Sequence, residues 1–299
     1  MSKADNMDNK KRLSIGILGG TFDPPHWGHL RLAEYFSRVL QLDHIIWMPA
    51  GQPWQKGNDI TPAKHRLAMS EYAIETLHDL FVDHHIYTKI DISTLEMSRE
   101  GPSYAIDTAK ELRALYGEQA SITWIMGADS WENIKTWHQW SELPKYVHIA
   151  VASRPQTSNQ ANQSPIGSVF SDKQTQDPQL LQLSPQGHVL FDQSLQINLA
   201  SHELRDGFYN HASWDELADA IPPLVLDYIE AKGLYRIKGI INAKDVNHRL
   251  ILQSVGQSLS ISGGKPWETD EIRESKIVFI GKDLDKAFFE GLLQGCLAR

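Results

Sequence analysis

The stretch GGTFDPPHWGHL at residues 19–30 constrains the fold of this chain more than any other part of the sequence. The apolar run at residues 13–18 precedes it and predicts a buried parallel strand. Apolar residues follow at helical spacing: Leu32, Ala33, Phe36 and Leu40. They predict a helix that begins near Trp27 or Gly28. A strand, a glycine-containing turn and a helix in this order direct backbone N–H groups and the positive end of the helix dipole to one place, which becomes an anion site.

Two imidazoles and a hydroxyl group are predicted to lie at this anion site. They belong to His26, His29 and Thr21. A His-x-Gly-His sequence alone is a weak signal, because a helix start with solvent-facing histidines has the same pattern. The flanking Gly-Gly-Thr-Phe-Asp-Pro-Pro, placed between a strand and a helix, favours phosphate binding instead.

Composition and charge limit the classes of function. The 299 residues suffice for one large or two modest domains, with residues 1–12 as a charged, loose tail. Their 29 Lys and Arg against 37 Asp and Glu give a formal net charge of −8, which disfavours nucleic acid as the main partner. No apolar run is long enough to cross a membrane, and the single Cys296 excludes an internal disulfide. These features predict a cytoplasmic protein with no membrane partner.

The rest of the chain reads as alternating strands and helices. Strands are predicted at residues 44–48, 87–92, 122–126, 147–152, 189–191 and 195–199. Helices are predicted from Pro62 to about Leu80, from about Ser103 to Leu115, and from the prolines at 222–223 to Gly233. Residues 156–186 are rich in Gln, Ser, Asn and Pro, which predicts a long surface loop. Ligands of open parallel sheets bind beyond the carboxyl ends of the strands, so the loops there are candidates for the site.

Several residues near these strand ends have two readings. Asp129 follows the fourth strand and could hold ribose hydroxyls or cap a helix. Trp137 could belong to the core or offer a flat face to a heteroaromatic ring. His65 and Arg66 could lie on a solvated helix face or brace the site. A cap for the following helix could come from Ser103 or Asp107.

A second phosphate-binding corner is predicted near residue 200. Residues 200–205 read as another helix start, with Arg205 about one turn into the helix. The planar guanidinium of an arginine can bind a polyphosphate through two parallel hydrogen bonds.

The chain resembles the bacterial nicotinate-mononucleotide adenylyltransferases of the nucleotidyltransferase superfamily over roughly residues 13–236. The matching parts occur in the family's order: residues 19–29, Lys56, His65-Arg66, Pro102-Ser103-Tyr104, Gly127-Ala128-Asp129-Ser130, Thr136-Trp137, Ser153-Arg154-Pro155, residues 199–205 and Gly233-Leu234-Tyr235-Arg236. The resemblance implies an α/β fold, with a Rossmann-like doubly wound parallel sheet. It also implies a Mg²⁺-dependent transfer of AMP from ATP to nicotinate mononucleotide, which gives nicotinate adenine dinucleotide and pyrophosphate in NAD biosynthesis.

The same resemblance implies roles for individual residues. The catalytic residues would be His26, His29 and Arg205. The ATP-binding residues would be Gly19, Gly20, Thr21, Gly28, Gly127, Asp129 and Ser201. The residues for the nicotinate substrate would be Lys56, Tyr104, Ala105, Trp137 and His138. Mg²⁺ is expected with ATP, and no protein side chain is expected to ligate a metal.

Residues 237–299 form a C-terminal appendage that this family normally lacks. The appendage resembles part of the C-terminal domain of CobW-type GTPase metallochaperones through these segments: Arg236-Ile237-Lys238-Gly239, residues 252–256, Lys265-Pro266-Trp267 and residues 278–285. Strands at 236–242, 249–255 and 276–280 and a closing helix at 284–296 predict a small α+β unit. The chain has no Gly-x-x-x-x-Gly-Lys-Ser/Thr motif and no Cys-x-x-Cys, so neither GTP hydrolysis nor a metal site is predicted there.

Three functions remain open at this point. The first is the nicotinate-mononucleotide adenylyltransferase, with ATP and nicotinate mononucleotide as partners and a homo-oligomer as one arrangement. The second is a related transferase that acts on another phosphate acceptor. The third is a degenerate nucleotide-binding scaffold for the appendage, because Ala200 and His202 occupy positions where this family commonly has Ser and Thr.

Overall fold

The protein is described by a computed structural model over residues 12–53, 60–152, 170–195, 204, 219–232, 234, 238–243, 246–255, 258–268 and 271–278. The chain divides into two compact units, Met1–Leu199 and Ala200–Arg299. The domain boundary expected after Arg236 stays a prediction. No helix in these ranges is long and apolar enough to cross a membrane.

Strands and helices alternate along the first unit. The strands are β1 (Ser14–Gly20), β2 (His44–Pro49), β3 (Lys89–Ile92), β4 (Ser121–Gly127), β5 (His148–Ala152), β6 (Gln174–Thr175) and β7 (Val189–Asp192). The helices are α1 (Trp27–Val39), α2 (Ala63–Asp83), α3 (Ala105–Tyr116), α4 (Ala128–Glu132) and α5 (Gln179–Leu183). Two short 3-10 helices, Ile134–Thr136 and Trp140–Lys145, follow α4.

The seven strands form one parallel sheet in the order β3-β2-β1-β4-β5-β7-β6. From β1 the chain runs outward through β2 and β3, and then returns to place β4 on the other side of β1. The strand order therefore reverses between β1 and β4. In doubly wound sheets ligands bind beyond the carboxyl ends of the strands at this reversal. The predicted Rossmann-like fold is confirmed.

The sheet is buried because its central strands are apolar on both faces. Alternate residues of β1, such as Ile15 and Ile17, share a core cluster with Ile106, Ala109 and Leu112 of α3. On α1 the buried positions recur at helical spacing: Leu30, Leu32, Ala33 and Phe36. These periodicities are the reason why the strands and helices predicted for residues 13–152 agree closely with those observed.

The loop prediction for residues 156–186 is wrong where the structure describes them, from residue 170 onward. This part contains β6 and α5, and Phe170 and Leu181 are each 1% exposed. The Phe170 ring packs against Trp131 and Trp140, with ring centroids 6.0 and 5.3 Å away. A few apolar side chains thus bury a segment whose average composition is polar.

The second unit contains a helix and a four-stranded antiparallel sheet. The helix is α6 (Pro223–Ala231), and the strands are β8 (Lys238–Ile241), β9 (His248–Val255), β10 (Ser258–Pro266) and β11 (Lys276–Val278). The sheet order is β10-β9-β8-β11. β10 was not predicted, because its Ser- and Gly-rich sequence SLSISGGKP has low strand propensity. Residues 196–199 of the strand predicted at 195–199, and the whole closing helix predicted at 284–296, fall outside the described residues.

Candidate active site

The turn between β1 and α1 brings the two predicted histidines together. His26 is the N-cap of α1, and its Nδ1 accepts a hydrogen bond from the Gly28 N–H at 3.1 Å. The Nδ1 atom of His29 accepts one in return from the His26 N–H at 3.2 Å. The two ring centroids lie 3.7 Å apart. The imidazoles thus form a reciprocal capping box, in which each satisfies a backbone donor at the helix start.

This capping box determines which ring nitrogen carries the proton. Because Nδ1 of His26 and of His29 accepts an N–H, each ring in its neutral form carries its proton on Nε2. Both Nε2–H groups are hydrogen-bond donors at the positive end of α1, which runs for 13 residues. The arrangement suits a phosphate group.

Phe22 supports His29 in a way that the sequence did not indicate. Its backbone has φ 49°, in the left-handed region, which is rare for a bulky residue, and its side chain is 1% exposed. The Phe22 ring meets His29 edge to face at 4.9 Å and stacks on Trp47 at 4.3 Å. The left-handed backbone at Phe22 therefore places its aromatic ring in contact with the His29 imidazole.

Glycines end both strands at the point where the strand order reverses. A Cβ atom built on Gly20, at the end of β1, would lie 2.9 Å from the Phe22 ring, so this ring leaves no room for a side chain at residue 20. A Cβ atom on Gly127, at the end of β4, would meet no atom of the described residues within 4 Å. Among the described residues, the space next to Gly127 is therefore open. Gly127 is also the N-cap of α4, and Asp129 lies in the first turn, so the alternative of Asp129 as a helix cap is wrong.

Aromatic side chains gather before α3 and after α4. Tyr104 stacks on the exposed ring of His138, with centroids 4.4 Å apart, and the half-buried Trp137 packs edge to face against Trp124 at 6.1 Å. Tyr104 is the N-cap of α3 and provides no side-chain acceptor, and Ala105 is the first helical residue. This corner offers a helix start beside flat rings.

Neither Ser103 nor Asp107 is the cap predicted for α3. Asp107 lies in the first turn. The Ser103 hydroxyl oxygen instead accepts the backbone N–H groups of Gly51 and Gln52, each at 3.1 Å. Serine at this position thus joins the segment before α3 to the loop after β2.

Of the two alternatives for His65 and Arg66, the brace is correct for Arg66. The Arg66 side chain is 1% exposed and donates hydrogen bonds to backbone carbonyls of the loops around the site. His65 is half-buried.

The chain is similar in sequence to known proteins. The cytidylyltransferase-like family matches residues 17–200. A protein of Dechloromonas aromatica is 33% identical over 224 residues, which are 74% of this chain and 97% of that protein. One of Herminiimonas arsenicoxydans is also 33% identical over 224 residues, 74% of this chain and 96% of its own. Both bear the name "Probable nicotinate-nucleotide adenylyltransferase". The chain belongs to the nicotinate-nucleotide adenylyltransferase family.

A solved structure of this family has the same fold. The nicotinic acid mononucleotide adenylyltransferase of Plasmodium falciparum, complexed with NaAD, has a TM-score of 0.52 and 19% identity, over 75% of this chain and 97% of that one. This member of the nicotinate-nucleotide adenylyltransferase family also carries a second match: residues 213–297 match the cobalamin synthesis protein cobW C-terminal domain. The predicted resemblance of the appendage is confirmed.

Part of the expected adenylyltransferase site lies outside the described residues. Lys56, Ser201 and Arg205 are there, together with Ala200 and His202. The second phosphate-binding corner therefore stays a prediction. Within the ranges that the structure does describe, no three His, Cys, Asp or Glu side chains are grouped so that they could hold a metal ion.

Proposed function

We propose that this protein transfers AMP from ATP to nicotinate mononucleotide and thereby forms nicotinate adenine dinucleotide and pyrophosphate, a step of NAD biosynthesis. The observation that carries the proposal is the pair of imidazoles that cap α1 directly beyond β1. They lie next to the reversal of strand order, where sheets of this kind bind nucleotides. The names of the relatives support the same activity.

The reaction needs positioning and charge stabilisation rather than a covalent intermediate. A phosphate oxygen of the mononucleotide attacks the α-phosphorus of ATP in line, and the bond to the bridging oxygen of the β-phosphate breaks as pyrophosphate leaves. The Nε2–H groups of His26 and His29 and the N-terminus of α1 would stabilise the negative charge that develops on the transferred and leaving groups. No activated Ser or Cys is required.

Mg²⁺ would enter this reaction as part of the Mg·ATP substrate. Mg²⁺ usually keeps several waters and binds substrate phosphates, with only one or two protein carboxylates. The absence of a three-ligand cluster among the described residues is compatible with that mode of binding.

The remaining assignments belong to the same proposal. Asp129 would hold the ribose of ATP, and Gly127 would leave space for it. Trp137 and the Tyr104–His138 stack would receive the pyridine ring, with the start of α3 near its carboxylate. The residues outside the described ranges keep their predicted roles: Lys56 for the nicotinate substrate, and Ser201 and Arg205 for ATP. A cytoplasmic location and a homo-oligomer also stay predictions.

The decisive experiment is a pyrophosphate-release assay with ATP and three acceptors. We expect turnover with nicotinate mononucleotide well above that with nicotinamide mononucleotide or phosphopantetheine. A preference for either of the other acceptors would assign the protein to a related transferase. Release with none of the three would favour the scaffold, and ATP binding measured by calorimetry would then test whether the nucleotide site persists.

A further inference from the structure

Arg66, near the start of α2, holds three separate segments of backbone together. Its Nη1 donates to the carbonyl oxygens of Thr21 at 2.9 Å and of Ala50 at 2.6 Å. Its Nη2 donates to Gly51 O and its Nε to Thr61 O, each at 3.0 Å. Thr21 follows β1, Ala50 and Gly51 follow β2, and Thr61 precedes α2. One guanidinium thus joins the turn that carries the histidines to two neighbouring segments.

The charge of this buried guanidinium has a partner within the same clamp. Burial lowers the pKa of Arg66, and the carboxylate of Asp23, itself 2% exposed, raises that pKa. An Oδ atom of Asp23 also accepts the Thr61 N–H at 3.3 Å. Arg66 remains charged, since an arginine pKa starts far above neutrality. Its planar fork serves four carbonyls at once, which the single ammonium of a lysine cannot do.

The clamp continues to the other side of the proposed site through Ser103. The Gly51 and Gln52 N–H groups donate to the Ser103 hydroxyl, and the Ser103 N–H donates to Gln52 O at 3.1 Å. The next residue, Tyr104, carries the ring that stacks on His138. Hydrogen bonds therefore run without a break from the turn after β1 to the turn before α3.

We propose that Arg66 is a positioning residue for the transfer reaction: through the loop after β2 and Ser103, it sets the spacing between the phosphate-binding turn after β1 and the acceptor-binding turn before α3. This inference rests on the proposed function. In-line attack requires the two reacting groups at near-contact distance, and a misplacement of about 1 Å can cost a factor of about 10² in rate.

Arg113 is a matched control that lies at the amino ends of the strands, away from the proposed site. Arg113 in α3 is also buried, at 4% exposed, and donates only to backbone carbonyls of residues 117, 120, 146 and 185. Three of these precede β4, β5 and β7, so Arg113 clamps the amino ends of the strands, whereas the site lies at the carboxyl ends. Arg66→Lys and Arg113→Lys thus make the same chemical change in two comparable clamps.

The test compares both variants of the full chain with the unmodified protein, by steady-state kinetics and by amide hydrogen exchange. For Arg66→Lys we expect kcat to fall by about 10²-fold while both KM values change by less than about fivefold, because each substrate keeps its own contacts. For Arg113→Lys we expect kcat within about threefold of the unmodified protein. Amide hydrogen exchange at residues 20–26 and 50–53 should be faster than in the unmodified protein in Arg66→Lys but not in Arg113→Lys.

Equal kcat losses in the two variants, or equal exchange in those two segments, would overturn the inference. Hydrogen exchange also separates it from the proposed function: if the unmodified protein releases no pyrophosphate, the function fails, while the exchange pattern still tests the clamp. Should Arg66→Lys not fold, Ser103→Ala removes the two hydrogen bonds that the Gly51 and Gln52 N–H groups donate to the Ser103 hydroxyl, while the Ser103 N–H keeps its bond to Gln52 O. It should lower kcat about tenfold with little change in KM, and an unchanged kcat would refute the path through the Ser103 hydroxyl.

Discussion

At the scale of single residues, the proposed function gives His29 two tasks, one for each ring nitrogen. Nδ1 accepts the His26 N–H and closes the capping box, so that the neutral ring carries its proton on Nε2, which would donate to a phosphate group. The ring position is further fixed by the Phe22 edge. A side chain so fully constrained can present its donor without reorganisation during the reaction.

We expect His29→Ala to lower kcat by roughly two to three powers of ten, with a modest change in KM for ATP. The lost donor would act chiefly on charge that develops in the transition state. His84→Ala is the control, because His84 is an exposed histidine that pairs with Glu34 away from the turn. Pyrophosphate release under saturating substrates measures both, and near-normal turnover of His29→Ala would remove His29 from the chemistry.

His148 gives the molecule a second histidine-dependent property, the pH dependence of its stability. Its ring is fully buried at the start of β5, where Nδ1 accepts the His188 N–H at 3.0 Å and Nε2 lies 2.9 Å from Ser184 O. Burial lowers the pKa of His148 from 6.5 to about 4. The folded protein therefore keeps His148 neutral at a pH where the unfolded chain protonates it.

Stability that depends on His148 is complete above pH 6.5 and is lost as the pH falls toward 4. Between pH 6.5 and 5 the free energy of unfolding should drop by about 1.5 kcal/mol for this reason. Urea unfolding at several pH values measures the slope. His148→Gln retains a donor for Ser184 O but does not titrate, so its slope should be smaller. Identical slopes for the two proteins would show that other groups cause the loss of stability at acidic pH.

At the scale of elements, the loops beyond β2 and β4 differ in the space around their glycines. A Cβ atom on Gly51 would lie 2.2 Å from the carbonyl oxygen of Glu96, and one on Gly127 would meet nothing within 4 Å in the part of the chain that the structure describes. The loop after β2 is therefore in close backbone contact with the segment around Glu96, whereas no described residue crowds Gly127 at the end of β4.

Alanine at Gly51 should affect stability, whereas alanine at Gly127 should affect ATP binding. Gly51→Ala should lower the free energy of unfolding by about 2 kcal/mol, because backbone must move to admit the methyl group. Gly127→Ala should leave stability within about 1 kcal/mol but raise KM for ATP about tenfold, since the methyl group would enter the space proposed for the nucleotide. Thermal unfolding and kinetics measure the two effects. An unchanged KM would place the nucleotide elsewhere.

Elements were predictable from sequence where periodicity was strong. The apolar run before Gly19 and the spacing of Leu32 and Phe36 sufficed for β1 and α1. β6 and α5 were missed because the few apolar residues around the buried Phe170 and Leu181 lie in a segment that is polar on average.

The site was predictable to the extent that its residues follow one another in the chain. His26 and His29 could be placed together because a helix turn separates them. The four carbonyl partners of Arg66 come from segments up to 45 residues away, and carbonyls carry no sequence signal. The positive φ of Phe22 and the packing of its ring against His29 also have no sequence signal, because left-handed backbone is rare for a bulky residue.

At the scale of the whole molecule, the chain joins two units with different family matches. The cytidylyltransferase-like match ends at residue 200, and the cobW C-terminal match covers residues 213–297. Adenylyltransferase relatives align over about three quarters of this chain and nearly all of their own length. About a quarter of this chain therefore has no counterpart in them.

Deletion of residues 239–299 should leave pyrophosphate release within about threefold of the full chain. The retained part corresponds in length to whole proteins of the family, so we expect it to contain what the transfer reaction needs. Far-UV circular dichroism of the truncated chain checks that it folds. A folded but inactive truncation would show that the appendage takes part in catalysis.

The capping box of α1 also limits how this protein could be made more robust. Ser or Asp at position 26 would satisfy the buried Gly28 N–H at the helix start better than an imidazole does. Either replacement would exchange the proposed phosphate donor for a hydroxyl or a repelling carboxylate. Selection for heat tolerance and selection for turnover thus pull this one position in opposite directions, as is common where a site forms part of the scaffold.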